Sequence, residues 1–507
     1  MAHVTELFLD DDCIEMSGGI TRRIQQPEKY PLNPVLKPEY WWEGKLLQAS
    51  CALYDKEEKL FKLWMRAGRG FGKNPFIDGH ELYTTYGTSR DGIVWERPNL
   101  GLLELAGKKD HNVILTGGVY PKLPHQGKKG WIENVIKNPH PTCENDKYVC
   151  AYYDMKNRGF FLGFSSDGVR WEKEKEPFWQ TPLDLTNWGD DAISNMIYDR
   201  LKNKWVMYRR VIPQESERLV ARPEDETWKM PDRIMRVMGY AESEDLKEWK
   251  NHQIILSPDA DDDPDIEFYA LSLYIYEGVY VGYLWIYHMV HHLSFIDMQL
   301  VTSRDGIHFT RCCRKETFLP AGPRGSFDYM ACMSYQSEPI VVNNSIYFYY
   351  TASNFDHYKS YLRKDAVASI GLARSPRDRF VYLETGHPEP CRLVTKPFVV
   401  KDPNLYINAA TWPRGSIKTE VLSRDWKPLP GFEAHNSRAV RGNNLANPVH
   451  WNRKDGLGSL IGQEIRLKFN MVNARLYAMT FADEEQKSVP LPKLQGSFSF
   501  IADYPVE

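Results

Sequence analysis

One short phrase recurs along this chain of 507 residues: an alternating apolar strand, then Ser-x-Asp-Gly, then an aromatic residue. The five copies begin at Ser89, Ser165, Ser243, Ser303 and Ser375. They are 76, 78, 60 and 72 residues apart; the third has Leu246 in place of Gly, and the fifth is degenerate. Self-similarity at a long period indicates a repeat architecture. One strand-rich unit repeated five times most simply closes into a ring, which predicts a five-bladed β-propeller.

The Ser-x-Asp-Gly phrase has the composition of a tight turn between two strands. Ser and Asp side chains accept hydrogen bonds from nearby backbone N–H groups, and Gly tolerates a positive φ. The aromatic residue that follows lies on the next strand, where it can pack between neighbouring units. We therefore expect these residues to build hairpins and to take no part in chemistry.

A second phrase precedes the copies: a short apolar strand, a polar turn and an aromatic strand, as in residues 51–65 and 195–208. Two hairpins give four strands per unit, which is one blade. The predicted blades span about 45–98, 131–176, 190–250, 265–311 and 328–384.

After about residue 390 the repeat stops, and short alternating strands separated by turns indicate a β-sandwich. These strands are predicted at 404–410, 416–422, 465–469 and 474–481. The predicted fold is all-β, with a five-bladed β-propeller over residues 1–388 and a C-terminal β-sandwich over residues 389–507.

The amino-acid composition argues against some classes of function and location. The net charge is −3, with 64 basic and 67 acidic residues mixed along the chain, so no basic stripe favours nucleic acid. No apolar run reaches membrane-spanning length, and residues 1–12 lack the pattern of a signal peptide. None of the eight cysteines forms Cys-x-x-Cys, which favours a reducing, cytoplasmic location. A secreted protein whose signal peptide had been removed would look the same.

Carboxylates occur near the start of the first strand of every predicted blade, where a propeller places its ligand site. They are Glu43, Glu133, Asp190 with Asp191, Asp265 with Glu267, and Asp328. Like charges held together raise one another's pKa, so one carboxyl can donate a proton while another stays ionised. Paired carboxyls are the machinery of glycoside hydrolysis. The pattern therefore predicts acids that converge on one mouth of the propeller.

Other side chains suit the same mouth. Trp42 precedes Glu43 and offers a flat ring for a sugar face. Arg209 and Arg210 end a predicted strand, and a guanidinium can hold hydroxyls, a uronate or a phosphate. Adjacent strand residues point to opposite faces, so at most one of the two arginines should face the site. His357 lies in a predicted loop of the fifth blade.

No metal and no cofactor are predicted. The histidines at 288, 291 and 292 lack a recognisable ligand spacing. The acidic segment 259–263 is typical of a solvated loop, with a structural Ca²⁺ as the alternative.

The repeated units followed by a sandwich resemble the β-fructosidase superfamily: glycoside hydrolase families 32 and 68, with the related arabinanase family 43 and mannosyl-phosphorylase family 130. The phrases at 7–11, 42–44, 302–306 and 406–409 look like those of family 32-like bacterial proteins. In family 32 the nucleophile, the transition-state stabiliser and the general acid come from the first three blades. The resemblance implies these roles for Glu43, Glu133 and Asp190 or Asp191. The match is by position in the blade, since the family's Asp-Pro-Asn, Arg-Asp-Pro and Glu-Cys-Pro phrases are absent from these blades.

The leading hypothesis is a glycoside hydrolase that acts on a furanoside or a related oligosaccharide. Glu43 would be the nucleophile or the base, Glu133 and Asp190 would share the acid and stabiliser roles, and Glu267 would be a further catalytic acid. The predicted substrate-binding residues are Trp42, Asp191, Arg209, Arg210, Asp265, Asp328 and His357.

Two alternatives stay open. A glycoside phosphorylase would use Arg209, Arg210 and His357 to bind phosphate. A non-catalytic carbohydrate-binding propeller would bind sugar without turnover, because a fold does not fix a function. The predicted partner is an oligosaccharide or a glycoside, with no nucleic acid and no membrane, for a chain that is a monomer or a homo-oligomer.

Overall fold

The structure is a computed structural model that describes residues 4–69, 81–118, 129–157, 159–180, 193–212, 236–290, 293–313, 315–334, 336–355, 365–386, 390–453, 455–484 and 487–492. Within these ranges the regular elements are β-strands and two 3-10 helices, Glu144–Asp146 and Gly458–Leu460. The predicted all-β class is confirmed for this part of the chain. No helix in these ranges is long and apolar enough to cross a membrane.

The strands fall into five successive antiparallel groups, named units 1 to 5, and one further sheet. The first strands of the chain are β1 (Val4–Leu7), β2 (Ile14–Gly18), β3 (Ile20–Ile24) and β4 (Glu28–Lys29). Unit 1 contains β5 (Leu46–Asp55), β6 (Leu60–Arg69), β7 (Glu81–Ser89) and β8 (Val113–Thr116). Unit 2 contains β9 (Gly130–Lys137), β10 (Tyr148–Asp154), β11 (Gly159–Ser165), β12 (Glu172–Lys173) and β13 (Trp179–Gln180). Unit 3 contains β14 (Ile193–Asp199), β15 (Lys204–Val211), β16 (Val237–Ser243) and β17 (Lys250–Leu256).

Units 4 and 5 follow the same plan. Unit 4 contains β18 (Ile266–Tyr276), β19 (Val279–Val290), β20 (Leu293–Ser303) and β21 (Phe309–Arg311). Unit 5 contains β22 (Ala331–Met333), β23 (Ile340–Val342), β24 (Ser345–Ser353) and β25 (Ala368–Pro376). Its outermost strand is β4, which pairs antiparallel with β25, so the start of the chain completes the last unit.

The Ser-x-Asp-Gly phrases form the turns that the sequence predicts. In the first copy the Ser89 hydroxyl accepts the Gly92 N–H at 2.8 Å, and Asp91 Oδ1 accepts the N–H groups of Ile93 and Val94, both at 2.8 Å. In the next three copies the Asp carboxylate likewise accepts two backbone N–H groups. The Gly residues of the three complete copies have φ between 72° and 76°, as this turn requires.

The turns also join neighbouring units. The carbonyl of the turn glycine accepts a hydrogen bond from an aromatic residue on the second strand of the preceding unit. Trp64 of unit 1 donates to Gly168 of unit 2 at 2.7 Å, and Tyr208 of unit 3 donates to the Gly306 turn of unit 4 at 3.0 Å. Tyr349 of unit 5 donates to Gly92 of unit 1 at 2.7 Å. The last of these bonds links the end of the series to its beginning.

Buried apolar clusters connect the units in the same cyclic order. Separate clusters lie between units 1 and 2, units 2 and 3, units 3 and 4, and units 4 and 5. A further cluster packs Ile340, Tyr349 and Leu372 of unit 5 against Leu47 and Phe61 of unit 1. Each unit is therefore buried against two neighbours, which is the main apolar burial that holds these units together.

The remaining sheet combines both ends of the chain. It contains β26 (Val381–Thr385), β27 (Cys391–Thr395), β28 (Phe398–Val399), β29 (Asn404–Leu422), β30 (Asn443–Pro448), β31 (Glu464–Ala482) and β32 (Val489–Pro490). β1 pairs with β31, β2 with β27 and β3 with β26. The sequence did not predict that these N-terminal strands join this sheet. Strands before and after residue 388 share it, and the domain division at that residue stays a prediction.

The prediction of four short C-terminal strands is wrong in one respect. The pairs predicted at 404–410 with 416–422 and at 465–469 with 474–481 are two continuous strands, β29 and β31, of 19 residues each. They pair with each other along their length, and the register shifts between Thr411 and Ser416. The Trp-Pro-Arg-Gly segment at 412–415 therefore forms an irregularity within one strand, although its composition is typical of a turn.

Candidate active site

A β-bulge occurs at the same place in four units. The first strand of each unit is called its inner strand here, and the inner strands of units 1 to 4, β5, β9, β14 and β18, contact one another in that order. The pairing register skips residues 50, 133, 194 and 269, in β5, β9, β14 and β18. A bulge breaks the strict alternation of a strand and turns one side chain in a new direction. The repeated bulge therefore marks one common level of the inner strands.

In two units the bulge residue is partly accessible within a strand that is otherwise buried. Glu133 is half-buried, while Gly130–Ile132 and Asn134–Ile136 are buried. Tyr269 is half-buried, while the other residues of β18 are buried. Glu133 and Tyr269 are thus partly accessible at this level.

The Glu133 cluster lies between units 1 and 2. The Trp131 indole donates to Glu133 Oε1 at 2.6 Å, and the Arg66 guanidinium lies 3.7 Å from the centre of the Trp131 ring. Lys129, directly before β9, is buried, and its burial together with the nearby Arg66 charge lowers its pKa to about 8. A predicted acid thus lies in a group with an aromatic ring and two cations.

The Glu267 cluster lies between units 3 and 4. Arg236 Nη1 is 2.5 Å from Glu267 Oε2, and both side chains are buried. The guanidinium groups of Arg210 and Arg236 lie 4.3 and 5.5 Å from the centre of the Tyr269 ring. Burial lowers the pKa of Arg236, and the nearby Arg210 charge lowers it further, but the Glu267 carboxylate together with Tyr269 and Tyr287 raises it overall. The structure thus brings Glu267 and Arg210 together around Tyr269.

Arg209 and Arg210 point to opposite faces of β15, as predicted from strand geometry. The Arg209 guanidinium lies 4.7 Å from the centre of the Trp179 ring in unit 2, whereas Arg210 contacts Tyr269 in unit 4. Only Arg210 belongs to the Glu267 cluster.

Glu43 lies in the turn before β5 and is fully buried. Its Oε2 accepts the N–H groups of Glu39 at 2.9 Å and Tyr40 at 3.2 Å, and its Oε1 is 2.8 Å from Arg97 Nε. Burial raises the pKa of Glu43, and the Glu39 N–H and the Arg97 charge oppose that rise. The neighbouring Trp42 is also buried and donates to Asn112 Oδ1 at 2.8 Å.

The contacts of Glu43 do not include the other acids. Among the described residues, no hydrogen bond or ion pair joins Glu43 to Glu133 or Glu267. Its catalytic role stays a prediction, and so does substrate binding by Trp42.

Asp328 and Asp265 lie apart from the two clusters. Asp328 is buried, with Lys29 Nζ of β4 at 2.6 Å and the Ser326 hydroxyl at 2.8 Å. Asp265 is half-buried directly before β18, and its backbone carbonyl accepts the Met289 N–H at 3.1 Å. Asp190, Asp191 and His357 lie outside the described residues, so their predicted roles stay predictions.

The described residues contain no group of three His, Cys, Asp or Glu side chains placed to hold a metal ion. In the acidic segment 259–263, Asp262 contacts Arg311 Nη1 at 2.7 Å. His288 lies 3.3 Å from Asp297 and stacks on Phe295, while His291 and His292 lie outside the described residues.

Sequence reasoning missed Tyr269, Arg236, Arg66 and Lys129. Tyr269 lies inside a continuous apolar run, and only the strand pairing identifies it as a bulge residue. Arg236 and Lys129 directly precede strands β16 and β9. Cations at strand starts, searched for together with acids, would have identified these two.

No family model matches the chain, and no curated protein matches it. Among solved structures it is similar to a glycosyl hydrolase from Bacteroides ovatus, with a TM-score of 0.44 and 16% identity over 74% of this protein and 98% of that one. It is similar to a family 43 arabinoxylan arabinofuranohydrolase from Bacillus subtilis, with a TM-score of 0.40 and 12% identity over 87% and 96% of the two proteins. It is also similar to a fructofuranosidase from Schwanniomyces occidentalis, with a TM-score of 0.41 and 12% identity over 93% and 98%.

Glycoside hydrolases are thus among the solved structures that this chain resembles. Family 43, which the sequence resemblance names, is the family of the arabinofuranohydrolase. TM-scores below 0.5 do not establish which residues correspond, so the roles of the side chains are argued from their own contacts.

Proposed function

We propose that the protein is a glycoside hydrolase whose five units are the blades of a five-bladed β-propeller, followed by a C-terminal β-sandwich. One observation carries the proposal: the repeated bulge opens two otherwise buried inner strands, at Glu133 and at Tyr269 beside Glu267. The cyclic order of the apolar clusters supports the propeller. The active site would then lie at the mouth formed by the starting ends of the inner strands.

The two carboxylates have different surroundings, as hydrolysis of a glycoside requires. Glu133 accepts a hydrogen bond from the Trp131 indole in a cluster that also holds Arg66 and Lys129, whereas Glu267 is in direct contact with the Arg236 guanidinium. Hydrolysis needs one carboxyl that donates a proton to the leaving oxygen and one that stays ionised. We assign the proton-donor role to Glu133 and the nucleophile or base role to Glu267. Asp190 remains the predicted third acid, and Glu43 remains a predicted nucleophile whose contacts also fit a carboxylate that fixes its own turn.

The substrate we favour is a furanoside or a related oligosaccharide. Tyr269 supplies a partly accessible aromatic ring in the Glu267 cluster, and such rings stack on the apolar faces of sugars. Arg210, next to the Tyr269 ring, supplies donors for sugar hydroxyls.

The test is turnover of aryl furanosides, aryl pyranosides and short fructo- and arabino-oligosaccharides. We expect Glu133→Gln and Glu267→Gln each to lower kcat by about 10²-fold or more, because each removes a group that moves a proton or stabilises charge. Glu57→Gln is the matched control, since Glu57 is 70% exposed and distant from both acids in the chain. Melting temperatures should be measured in parallel, because Glu267→Gln leaves the buried Arg236 without its carboxylate. Near-normal turnover in both folded variants would contradict the assignment.

A second candidate function is a glycoside phosphorylase. Two buried guanidinium groups, Arg210 and Arg236, lie around one ring beside a single carboxylate, and guanidinium groups bind phosphate well. Phosphate dependence of turnover separates the two reactions. Sugar binding without turnover, unchanged in both Gln variants, would instead favour a binding protein. A cytoplasmic location, the absence of a cofactor and the state as monomer or homo-oligomer stay predictions from the sequence.

A further inference from the structure

A cavity lies at the end of the inner strands opposite the proposed active site. Its volume is about 270 Å³, and residues of all five units line it. Its wall includes Tyr54, Ile136, Ile197 and Ile275, which lie three to six residues beyond the bulges of β5, β9, β14 and β18. At about 3.3 Å per residue, the cavity is roughly 10–20 Å from the level of the proposed active site. It is therefore a separate site on the same axis.

Four charged side chains line this cavity. Lys56, Lys137 and Arg200 supply three positive charges, and Glu338 supplies one carboxylate. Lys137 Nζ lies 3.4 Å from Glu57 and 3.8 Å from Asp55, and Arg200 Nη2 donates to the Ile275 carbonyl at 3.1 Å. Lys56 and Arg200 are exposed at the rim.

Glu338 faces the cations across the cavity. It is half-buried, and within the described residues it makes no hydrogen bond and no ion pair. Burial raises the pKa of Glu338, the charges of Lys137, Lys56 and Arg200 lower it, and Asp55 raises it further. A carboxylate that interacts with three cations through space, without touching them, leaves room for a ligand between them.

The rest of the lining suits the body of a small sugar. Tyr54 and Tyr198 contribute rings from units 1 and 3, and Ser337, whose hydroxyl donates to the Val135 carbonyl at 2.8 Å, forms the wall beside Glu338. Aromatic rings cover apolar sugar faces, and a carboxylate accepts hydrogen bonds from hydroxyls. The volume is just below the range of typical small-molecule sites, which suits a ligand the size of a monosaccharide.

We propose that this cavity binds a monosaccharide-sized anion with hydroxyl groups, a sugar phosphate or a sugar acid. The anionic group lies against Lys56, Lys137 and Arg200, and a ligand hydroxyl donates to Glu338. The site uses neither Glu133 nor Glu267, so it does not depend on the proposed catalytic function.

The test is calorimetric titration of the full chain with glucose 6-phosphate, gluconate, inorganic phosphate and glucose as probes. We expect glucose 6-phosphate or gluconate to bind, and glucose to bind at least tenfold more weakly. Added salt should lower the affinity for the anions, because it screens their attraction to the cations. Binding of glucose 6-phosphate alone would identify a phosphate site, and binding of gluconate alone would identify a carboxylate site.

The decisive variant is the double substitution Lys56→Ala with Arg200→Ala. Both side chains are exposed, so the fold should survive, and we expect the affinity for the anion to fall by about tenfold or more. Lys401→Ala with Arg424→Ala is the matched control, because it removes the same charge from exposed positions in the loops on either side of β29. Glu338→Gln should strengthen binding of inorganic phosphate, and Glu133→Gln should change nothing. No binding of any anion at millimolar concentration, or equal losses in the double variant and its control, would overturn the proposal.

Discussion

Leu246 occupies the turn position that Gly holds in three other copies, with a φ of 66°. Trp64, Tyr208 and Tyr349 bond the glycine turn of the following unit, and each lies three residues beyond the residue that pairs with the motif Ser of its own unit. Four units have Trp64, Tyr208, Tyr283 and Tyr349 there, and unit 2 has Ala151. Ala151 and Leu246 belong to one buried cluster. A small residue packed against Leu thus replaces an aromatic residue packed against Gly. The exchange places Leu246 in the left-handed backbone region, which is unfavourable for a residue other than Gly.

We therefore expect substitutions at residues 246 and 151 to compensate for each other. Leu246→Gly should lower the free energy of unfolding by about 1–3 kcal/mol, because a lost Leu side chain costs ~2–5 kcal/mol while relief of the left-handed backbone returns ~1–2 kcal/mol. Adding Ala151→Trp should restore part of the loss, since Trp64 fills the same place beside Gly168. Ala151→Trp alone should destabilise by overpacking. A denaturant series on the three variants measures the coupling, and purely additive losses would contradict it.

At the scale of single elements, Asp55 ends β5 and organises the turn that follows. Its Oδ1 accepts the N–H groups of Glu57 and Glu58, and Tyr148 of unit 2 donates to its Oδ2 at 2.9 Å. Asp199 ends β14 in the same way and is bonded by Tyr280 of unit 4. One buried carboxylate thus caps a hairpin and ties it to the next unit.

From the lowered pKa of Asp55 we expect a specific loss of stability in acid. Burial raises its pKa, but the Glu58 N–H, the Tyr148 hydroxyl and the Lys62 ammonium lower it to about 2 overall. Because the folded-state pKa lies below the unfolded value, the stabilisation is complete above the unfolded pKa and disappears as the pH falls through the folded pKa. Asp55→Asn should therefore lose about 2 kcal/mol at pH 7 and show a smaller difference from wild type near pH 3. Unfolding curves at both pH values test this, with Asp12→Asn, an exposed acid, as the control; an equal deficit at both would contradict it.

The sequence predicts the hairpins well because their turns depend on local chemistry. Ser89, Asp91 and Gly92 satisfy one another within a few residues, so their spacing alone identifies the turn. A bulge is a mismatch between two strands, and nothing within β18 marks Tyr269 as the extra residue. Acids at strand starts also look alike in sequence, although Glu133 is half-buried and Glu43, Glu267 and Asp328 are buried in ion pairs. Burial, which separates them, depends on residues such as Arg97 and Lys29 that lie far along the chain.

At the scale of the whole molecule, residues 4–30 connect unit 5 with the sheet that contains β29 and β31. β4 completes unit 5, while β1, β2 and β3 pair within the sheet that contains β29 and β31. Leu7, Leu9 and Ile24 also pack into the cluster between units 4 and 5. These residues therefore contribute edges and core to both parts.

A chain that begins at residue 31 should be markedly less stable than the full chain. It lacks four strands and exposes the edges of β25, β26, β27 and β31, each of which carries unpaired backbone groups once its partner is absent. We expect a melting temperature lower by several degrees or aggregation on heating, and recovery when a peptide of residues 1–30 is added in trans. Differential scanning calorimetry with and without a scrambled peptide measures this. An unchanged melting temperature would show that the pairing adds no stability.

The pairing of β4 with β25 also sets an order of events during synthesis. β4 leaves the ribosome early, yet its partner, Ala368–Pro376, is made more than three hundred residues later. At ~5–20 residues per second that interval is roughly 20–70 s. Throughout it the first strands have no native partner, whereas the hairpins of units 1 to 4 can close as they emerge. Strands made before the five units are thus paired after them, and the yield of folded protein depends on keeping their edges from other chains until then.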